Sequence, residues 1–164
     1  MKNDAIDDIL AQWSEERPEL ETASLGVVIR VISLYRAFVR QAGEALEPLG
    51  LELFEYDVLS ALRRQGKPYS LTATRLARAT GLSSGAMTNR VDRLEERSLV
   101  RRRRDREDRR GVIVSLTASG RRTIDEAIGL RLDAADESLR SLSSKEKQRL
   151  GALLRKIRLD EDDR

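Results

Sequence analysis

The sequence contains neither cysteine nor histidine. Without cysteine the chain cannot form disulfides or thiolate metal sites, and without histidine it lacks the commonest metal ligand and the commonest acid–base catalyst. Any catalysis would depend on carboxylate or lysine chemistry in a pocket. We therefore expect a protein that is not an enzyme and that holds no metal and no cofactor.

Long hydrophobic runs are also missing. No apolar stretch approaches the ~20 residues that a membrane-spanning helix needs. The N-terminal segment MKNDAIDDILAQW is acidic and lacks the apolar centre of a signal peptide. These absences predict a soluble cytoplasmic protein.

Aromatic residues make up only 4% of the chain, but a hydrophobic content of 40% is enough for one core, and 164 residues suggest one domain.

Charge is abundant and locally unbalanced. Charged residues make up 36% of the chain, whose formal net charge is +3. Between Arg90 and Arg110 ten arginines face six acids, so positive charge is concentrated in this segment. Such a concentration is typical of a surface that binds the phosphate backbone of nucleic acid. The alternative is a charged run that only contacts solvent.

The segment around this charge predicts a helix-turn-helix followed by a β-hairpin. Thr72 or Thr74 can cap a short helix, Gly81 suits a tight turn, and Ser83 or Ser84 can cap the next helix. In that second helix Met87, Val91 and Leu94 form an apolar stripe, and Gly85, Thr88, Asn89, Asp92 and Arg93 lie opposite. Two β-prone runs, residues 99–100 and 112–116, flank the charged loop. We therefore predict a mainly α fold, a winged helix-turn-helix, over residues 53–116.

The segments on either side of the winged helix are predicted to be helical. A short helix is predicted over residues 4–17, and long helices over 22–47 and 117–160, the latter interrupted by a capping box at Ser143 and Glu146. The 22–47 segment carries more apolar surface than a small domain can cover, so a second copy of the chain should cover it. We expect a two-fold dimer that holds two winged helices one helical turn of DNA apart.

Two opposite charges occupy comparable positions on their helices. Asp57 follows Phe54 by three residues, and Arg90 follows Met87 by three, so each lies at the edge of an apolar stripe. This placement predicts an ion pair between the two helices, either structural or regulatory. Trp13, the only tryptophan, either anchors the N-terminal helix or forms part of a pocket wall.

The motifs together resemble the MarR family of bacterial transcription regulators. The matching stretches are LSSGAMTNRVDRLEERSLV, the wing DREDRRGVIVSLT and the following LTASG. Two positions depart from the family pattern: Ser98 stands where glycine is usual, at a left-handed helix end, and Arg106 stands where proline is frequent. The AQW, ERPEL and EYDVLSALRR segments resemble the urate-responsive branch of this family, which implies a ligand site at Trp13, Asp57, Arg90 and Arg102.

The resemblance and the motif together imply a dimeric repressor that a small anionic ligand, such as urate or another purine, releases from a pseudo-palindromic operator. The expected contacts of the helix with the major groove are Ser83, Ser84, Thr88, Asn89 and Arg93. At the wing, Arg109 and Arg110 would enter the minor groove, with Asp105 and Asp108 holding them. A different small aromatic ligand is one alternative. An RNA-binding or architectural protein is another, although the wing lacks the aromatic residues on which single-stranded bases stack.

Overall fold

The computed structural model describes residues 3–105 and 111–162. It is 71% helical with one small antiparallel sheet, which confirms the predicted fold class. The elements of the described part are α1 (Ala5–Glu16), α2 (Ala23–Leu46), a 3-10 turn (Glu47–Leu49), α3 (Leu53–Arg63), β1 (Ser70–Thr72), α4 (Ala73–Thr80), α5 (Ser84–Glu96), β2 (Val100–Arg104), β3 (Val112–Leu116), α6 (Ala118–Ser138) and α7 (Ser144–Asp162). The chain divides into two compact units, Met1–Gln41 and Ala42–Arg164.

In the first unit, ion pairs hold α1 against α2. Asp4 caps α1 through a reciprocal capping box with Asp7. The guanidinium of Arg30 on α2 binds both carboxylates, with its Nη2 2.9 Å from Asp4 Oδ1 and 2.6 Å from Asp7 Oδ1. The hydrogen bond from Arg30, together with those from the backbone amides of Asp7 and Ile6, lowers the pKa of Asp4 to about 2. Gly26 permits close packing, because a Cβ there would lie 2.7 Å from a methyl carbon of Leu10.

The second unit has an aliphatic core beneath a three-stranded sheet. The largest fully buried side chains include Leu59, Leu62, Leu76, Leu94 and Ile124. The strand order is β1-β3-β2, with every pairing antiparallel, and Val114 of β3 pairs with Leu71 on one side and Arg102 on the other. Strands β2 and β3 form the predicted hairpin. Strand β1 is absent from the sequence-based prediction, because a three-residue strand is too short to show alternation.

The helix ends follow the predicted capping chemistry. Thr72 caps α4, Ser83 caps α5 and Thr117 caps α6, each accepting a hydrogen bond from a backbone amide of the first turn. Ser143 and Glu146 form the predicted capping box before α7. Gly81 has φ +67° and Ser98 has φ +56°, so Ser98 occupies the left-handed position at which the family pattern has glycine.

A close backbone contact fixes the start of α6. A Cβ at Gly120 would lie 1.9 Å from the carbonyl oxygen of Leu99, so a larger residue cannot occupy this position without a shift. The hydroxyl of Thr117 donates to the carbonyl of Ser98 at 2.7 Å. The turn that follows α5 and the start of α6 are therefore held together by a close backbone contact and a hydrogen bond.

Candidate nucleic-acid interface and ligand pocket

Helix α5 has one buried side and one exposed side. Met87, Val91 and Leu94 are at most 2% exposed. Thr88 and Asn89 are exposed, and an added Cβ at Gly85 would meet nothing within 4 Å. The side predicted to meet DNA therefore faces solvent, and the hydrogen bond from Ala86 N to the Ser83 hydroxyl holds its first turn. The side chain of Ser84 lies outside the described part of the chain.

Strand β2 adds cationic side chains next to this helix. Arg101, Arg103 and Arg104 are exposed, whereas Arg102 is half-buried. The amide of Asp105 donates to the carbonyl of Gly111 at 2.8 Å and closes the described base of the wing. The predicted minor-groove residues Arg109 and Arg110, the supporting Asp108 and the departing residue Arg106 lie outside the described residues.

Arg102 joins the wing to the recognition helix α5. Its backbone amide and its Nε donate to the two carboxylate oxygens of Glu95, both at 2.8 Å, and its Nη2 binds Asp92. The two hydrogen bonds from Arg102 lower the pKa of Glu95. Arg102 also lines a cavity of about 260 Å³ together with Thr74, Met87, Thr88 and others. Its charge is therefore already neutralised within the protein.

Arg90 does not pair with Asp57, so the predicted ion pair is wrong: among the described residues no contact of 4.0 Å or less joins them. The guanidinium of Arg90 instead lies over the ring of Phe54, with its central carbon 4.3 Å from the ring centroid. Arg93 approaches the same ring at 5.3 Å and binds Glu52, with 2.8 Å between Nη2 and Oε1. The start of α3 thus engages both arginines.

The buried acid of α3 is Glu55 rather than Asp57. Glu55 is 1% exposed, and Arg97 donates to it at 2.9 Å. The sequence-based interpretation missed this residue, although Glu52 and Glu55 have the three-residue spacing of a capping box ahead of an apolar run. That box is present, since the amide of Glu52 donates to the carboxylate of Glu55 at 3.0 Å.

Asp57 lies at a polar pocket of about 370 Å³, lined by Tyr56, Asp57, Ser60, Arg64, Ala79 and Thr80. Its side chain reaches solvent, yet partial burial raises its pKa, against the opposing attraction of Arg131, Arg64 and Arg90. The guanidinium of Arg131 lies 5.6 Å from the centroid of the Tyr56 ring, and its buried Nε has no hydrogen-bond partner among the described residues. The pocket lining therefore carries one carboxylate, Asp57, and one guanidinium, Arg64, while Arg131 and Arg90 act on Asp57 from outside the lining.

The four residues of the expected ligand site are distributed as follows. Asp57 lines the polar pocket, Arg90 lies on Phe54, and Arg102 lines a different cavity. Trp13 belongs to the first unit, on α1, with 45% of its surface exposed. The positive charge of Arg90 contributes, after burial and the charges of Arg131 and Arg64, to the pKa of Asp57, and the two side chains make no direct contact among the described residues.

Two further features of the described part bear on function. None of its helices combines the length and the apolarity that crossing a bilayer requires. Over the described ranges, no three acidic side chains converge in a way that could hold a metal ion.

Comparison with known proteins identifies the family. The model of the MarR family matches residues 49–111. The transcriptional regulator PecS of Dickeya dadantii is 30% identical over 152 residues, covering 93% of this chain and 92% of that protein. The structure of a mutant MarR from E. coli, complexed with operator DNA, is similar with a TM-score of 0.71 at 27% identity, over 88% of this chain and 96% of that one.

A third similar structure is that of BpsR from Bordetella bronchiseptica, whose DNA binding is described as regulated by 6-hydroxynicotinic acid. It superposes with a TM-score of 0.70 at 26% identity, covering 82% of this chain and 98% of that one. Of these three proteins, PecS is a transcriptional regulator and the other two bind DNA. The exposed recognition helix, the wing and these similarities lead to one conclusion: the chain belongs to the MarR family of DNA-binding transcription regulators.

Proposed function

We propose that the protein is a dimeric repressor that binds a pseudo-palindromic operator and is released from it by a small anionic aromatic ligand, urate or a related purine. It would act in the bacterial cytoplasm, where the chromosome is accessible to it. The observation that carries the DNA-binding part is the exposed side of α5, where Thr88 and Asn89 face solvent opposite a fully buried apolar stripe.

The proposed DNA contacts follow from the chemistry of these side chains. Asn89 can form two hydrogen bonds to an adenine edge in the major groove, and Thr88 can contact a neighbouring base or phosphate. The exposed arginines of β2 lie on the same unit and suit phosphates. From the sequence, Arg109 and Arg110 would continue this surface into the minor groove, supported by Asp105 and Asp108.

The proposed dimer rests on exposed apolar side chains of the terminal helices. On α2, Val27, Val31, Leu34 and Phe38 are between 37% and 55% exposed, and on α7 Leu153 and Ile157 are 54% and 53% exposed. Soluble monomers rarely leave such rows uncovered. A two-fold pairing of these helices would remove them from water and would present two recognition helices to two half-sites.

The ligand part rests on the pocket beside Asp57. An anionic purine offers negative charge to Arg64 and Arg131 and ring N–H groups to the Asp57 carboxylate. Such a ligand would also attract Arg90 away from the Phe54 ring, and Arg90 belongs to the recognition helix. A coupling of about 1–3 kcal/mol between ligand and DNA would suffice for useful control.

The test is a titration of operator-bound protein with urate, xanthine and hypoxanthine. The operator is first obtained by selection from a randomised duplex library. We expect urate to release the wild-type protein from the operator. The Asp57→Asn variant should bind the operator with the affinity of the wild type but should need a higher urate concentration for release. Retention of the complex at millimolar urate and at millimolar xanthine would rule out the purine, while leaving DNA binding intact.

A different small aromatic acid is the second candidate ligand. The observation favouring it is the description of BpsR, whose DNA binding responds to 6-hydroxynicotinic acid, an aromatic ring with a carboxylate. The carboxylate of such a ligand would bind the same two arginines, Arg64 in the pocket lining and the nearby Arg131. The same titration with 6-hydroxynicotinate and salicylate separates the two candidates.

A further inference from the structure

Three arginines, two on α5 and one at its C-cap, contact the start of α3 or the turn before it. Arg90, Arg93 and Arg97 are spaced by three and four residues, so they share one side of the helix. Arg90 and Arg93 lie over Phe54, and Arg93 also binds Glu52. The third arginine, Arg97, makes the most extensive contacts of the set.

Arg97 closes α5 and binds three acceptors at the joint before α3. Its Nη1 donates to Glu55 Oε2 at 2.9 Å and to the carbonyl of Gly50 at 3.0 Å, and its Nη2 donates to the carbonyl of Leu49 at 3.2 Å. Gly50 has φ +59°, which turns the chain between the 3-10 turn and α3. The C-terminal end of α5 is thus fixed to the start of α3 by one planar group.

The contact between Arg97 and Glu55 depends closely on the orientation of α5. Its side chain is 1% exposed, so its charge depends on the protein for solvation. Oε2 accepts from Arg97 and from the amide of Glu52, whereas Oε1 has no hydrogen-bond partner among the described residues and lies 3.8 Å from Arg93 Nε. A small rotation of α5 would separate these charges, and a buried carboxylate without its partner is costly.

We propose that Glu55 and Arg97 are positioning residues for sequence reading: they set the orientation in which α5 enters the major groove. This rests on the operator binding proposed above. Base contacts need side chains placed within about 0.5 Å. Phosphate contacts carry no sequence information and depend mainly on charge. Loosening the attachment therefore reduces operator preference while leaving general attraction to duplex DNA in place.

The experiment measures a preference ratio, which is the affinity for the duplex selected by the wild type divided by that for a scrambled duplex. Glu55→Gln keeps the shape of the side chain and removes its charge. We expect the ratio to fall about tenfold, the size of one lost base contact, with affinity for the scrambled duplex unchanged or higher. Glu126→Gln, an equal change of charge at an exposed position on α6, should preserve the ratio.

A second variant covers the case in which Glu55→Gln fails to fold. Arg97→Lys keeps the positive charge but cannot bind Glu55, Gly50 and Leu49 with one planar fork, and it should lower the ratio in the same way. Thermal melting is recorded for both, and assays are run well below the midpoint. A lower melting temperature with an unchanged ratio would show a purely structural role and would overturn the inference. A wild type that selects no duplex would overturn the proposed function itself.

Discussion

At the residue scale, the arginines of α5 have partners within the protein before any DNA arrives. Arg93 was expected to contact a base or a phosphate, yet its guanidinium binds Glu52 at 2.8 Å. Both side chains are about half exposed, at 52% and 55%. An exposed pair of this kind is weak, so a DNA phosphate can replace Glu52 as the partner of Arg93.

The variant Glu52→Gln tests this exchange. Without the carboxylate, Arg93 can bind a DNA phosphate without first breaking its ion pair with Glu52. Affinity for any duplex should therefore rise about two- to fivefold, which corresponds to the free energy that an exposed ion pair contributes. The dependence of affinity on salt should become steeper as well. Fluorescence anisotropy at several salt concentrations measures both, with Glu126→Gln as the matched control. An affinity equal to or below that of the wild type would contradict the exchange.

The residue scale is also where sequence reasoning was least complete. The stripe Met87, Val91 and Leu94 was predictable, because helical periodicity alone determines which side of α5 is apolar. The burial of Glu55 was missed, although Glu55 precedes Val58 by three residues and Leu59 by four and so shares their buried side of α3. Its partner could not be predicted, because the contact with Arg97 depends on how the end of α5 packs against α3, which is a tertiary fact.

At the element scale, the turn after α5 combines a conformational cost with a structural role. Ser98 has φ +56°, a left-handed conformation that costs a residue with a Cβ roughly 1 kcal/mol or more. Its amide nevertheless donates to Glu95 and its carbonyl accepts from Thr117. These hydrogen bonds therefore stabilise the turn, although serine is unfavourable in its left-handed conformation.

Ser98→Gly should accordingly raise the free energy of unfolding by about 0.5–1 kcal/mol, since the relief of strain exceeds the entropy that glycine adds to the unfolded chain. Chemical denaturation measures the change. Ser98→Ala is the control, because it removes the hydroxyl but keeps the Cβ, and it should bring no such gain. Equal stability of the glycine and alanine variants would show that φ at this position carries no strain.

The attachment of the wing to α5 should depend on pH. Hydrogen bonds from Arg102 lower the pKa of Glu95 below its usual value of 4.5. A carboxyl whose pKa is lower in the folded state contributes stability above that usual value, and the contribution disappears as pH falls through the folded-state pKa. Since Glu95 is partly exposed, at 38%, the contribution should be below about 1 kcal/mol.

Thermal melting of Glu95→Gln and wild type over a pH series measures this dependence. The variant should melt at a lower temperature at pH 7, and the two curves should converge as pH falls below the usual carboxyl pKa of 4.5. Glu96→Gln, which alters the adjacent exposed residue, should follow the wild type at every pH. A gap that persists at low pH would mean that Glu95 acts through packing and not through its charge.

Elements differ in how much the sequence reveals about them. Helices α4, α5 and α6 were predictable at their starts, because Thr72, Ser83 and Thr117 supply local capping hydrogen bonds. Strand β1 was not, because it exists only through its pairing with β3. The contact of Gly120 with Leu99 likewise joins distant segments, and no local pattern indicates it.

At the scale of the whole molecule, the proposed function requires two copies of the chain. Helix α7 contributes little to the core of the second unit, since Leu150, Leu153, Leu154 and Ile157 are between 38% and 54% exposed. A helix with such an apolar row needs a partner surface. We propose that a second chain supplies it.

Ile157→Lys should therefore weaken the dimer without unfolding the chain, because the side chain is 53% exposed within one copy. Sedimentation at micromolar concentration should show monomers, and operator affinity should fall with the loss of the second half-site. Gln148→Lys introduces the same residue at a polar, exposed position of α7 and should remain dimeric. A wild type that sediments as a monomer would contradict the dimer directly.

In the proposed complex, two copies of α5 and its wing contact one operator symmetrically. Hydroxyl-radical footprinting of the wild type on its selected duplex measures this symmetry. We expect two protected half-sites related by a two-fold axis, with centres about 10 base pairs apart. A single protected half-site, or uniform protection of any duplex without a preferred sequence, would contradict it.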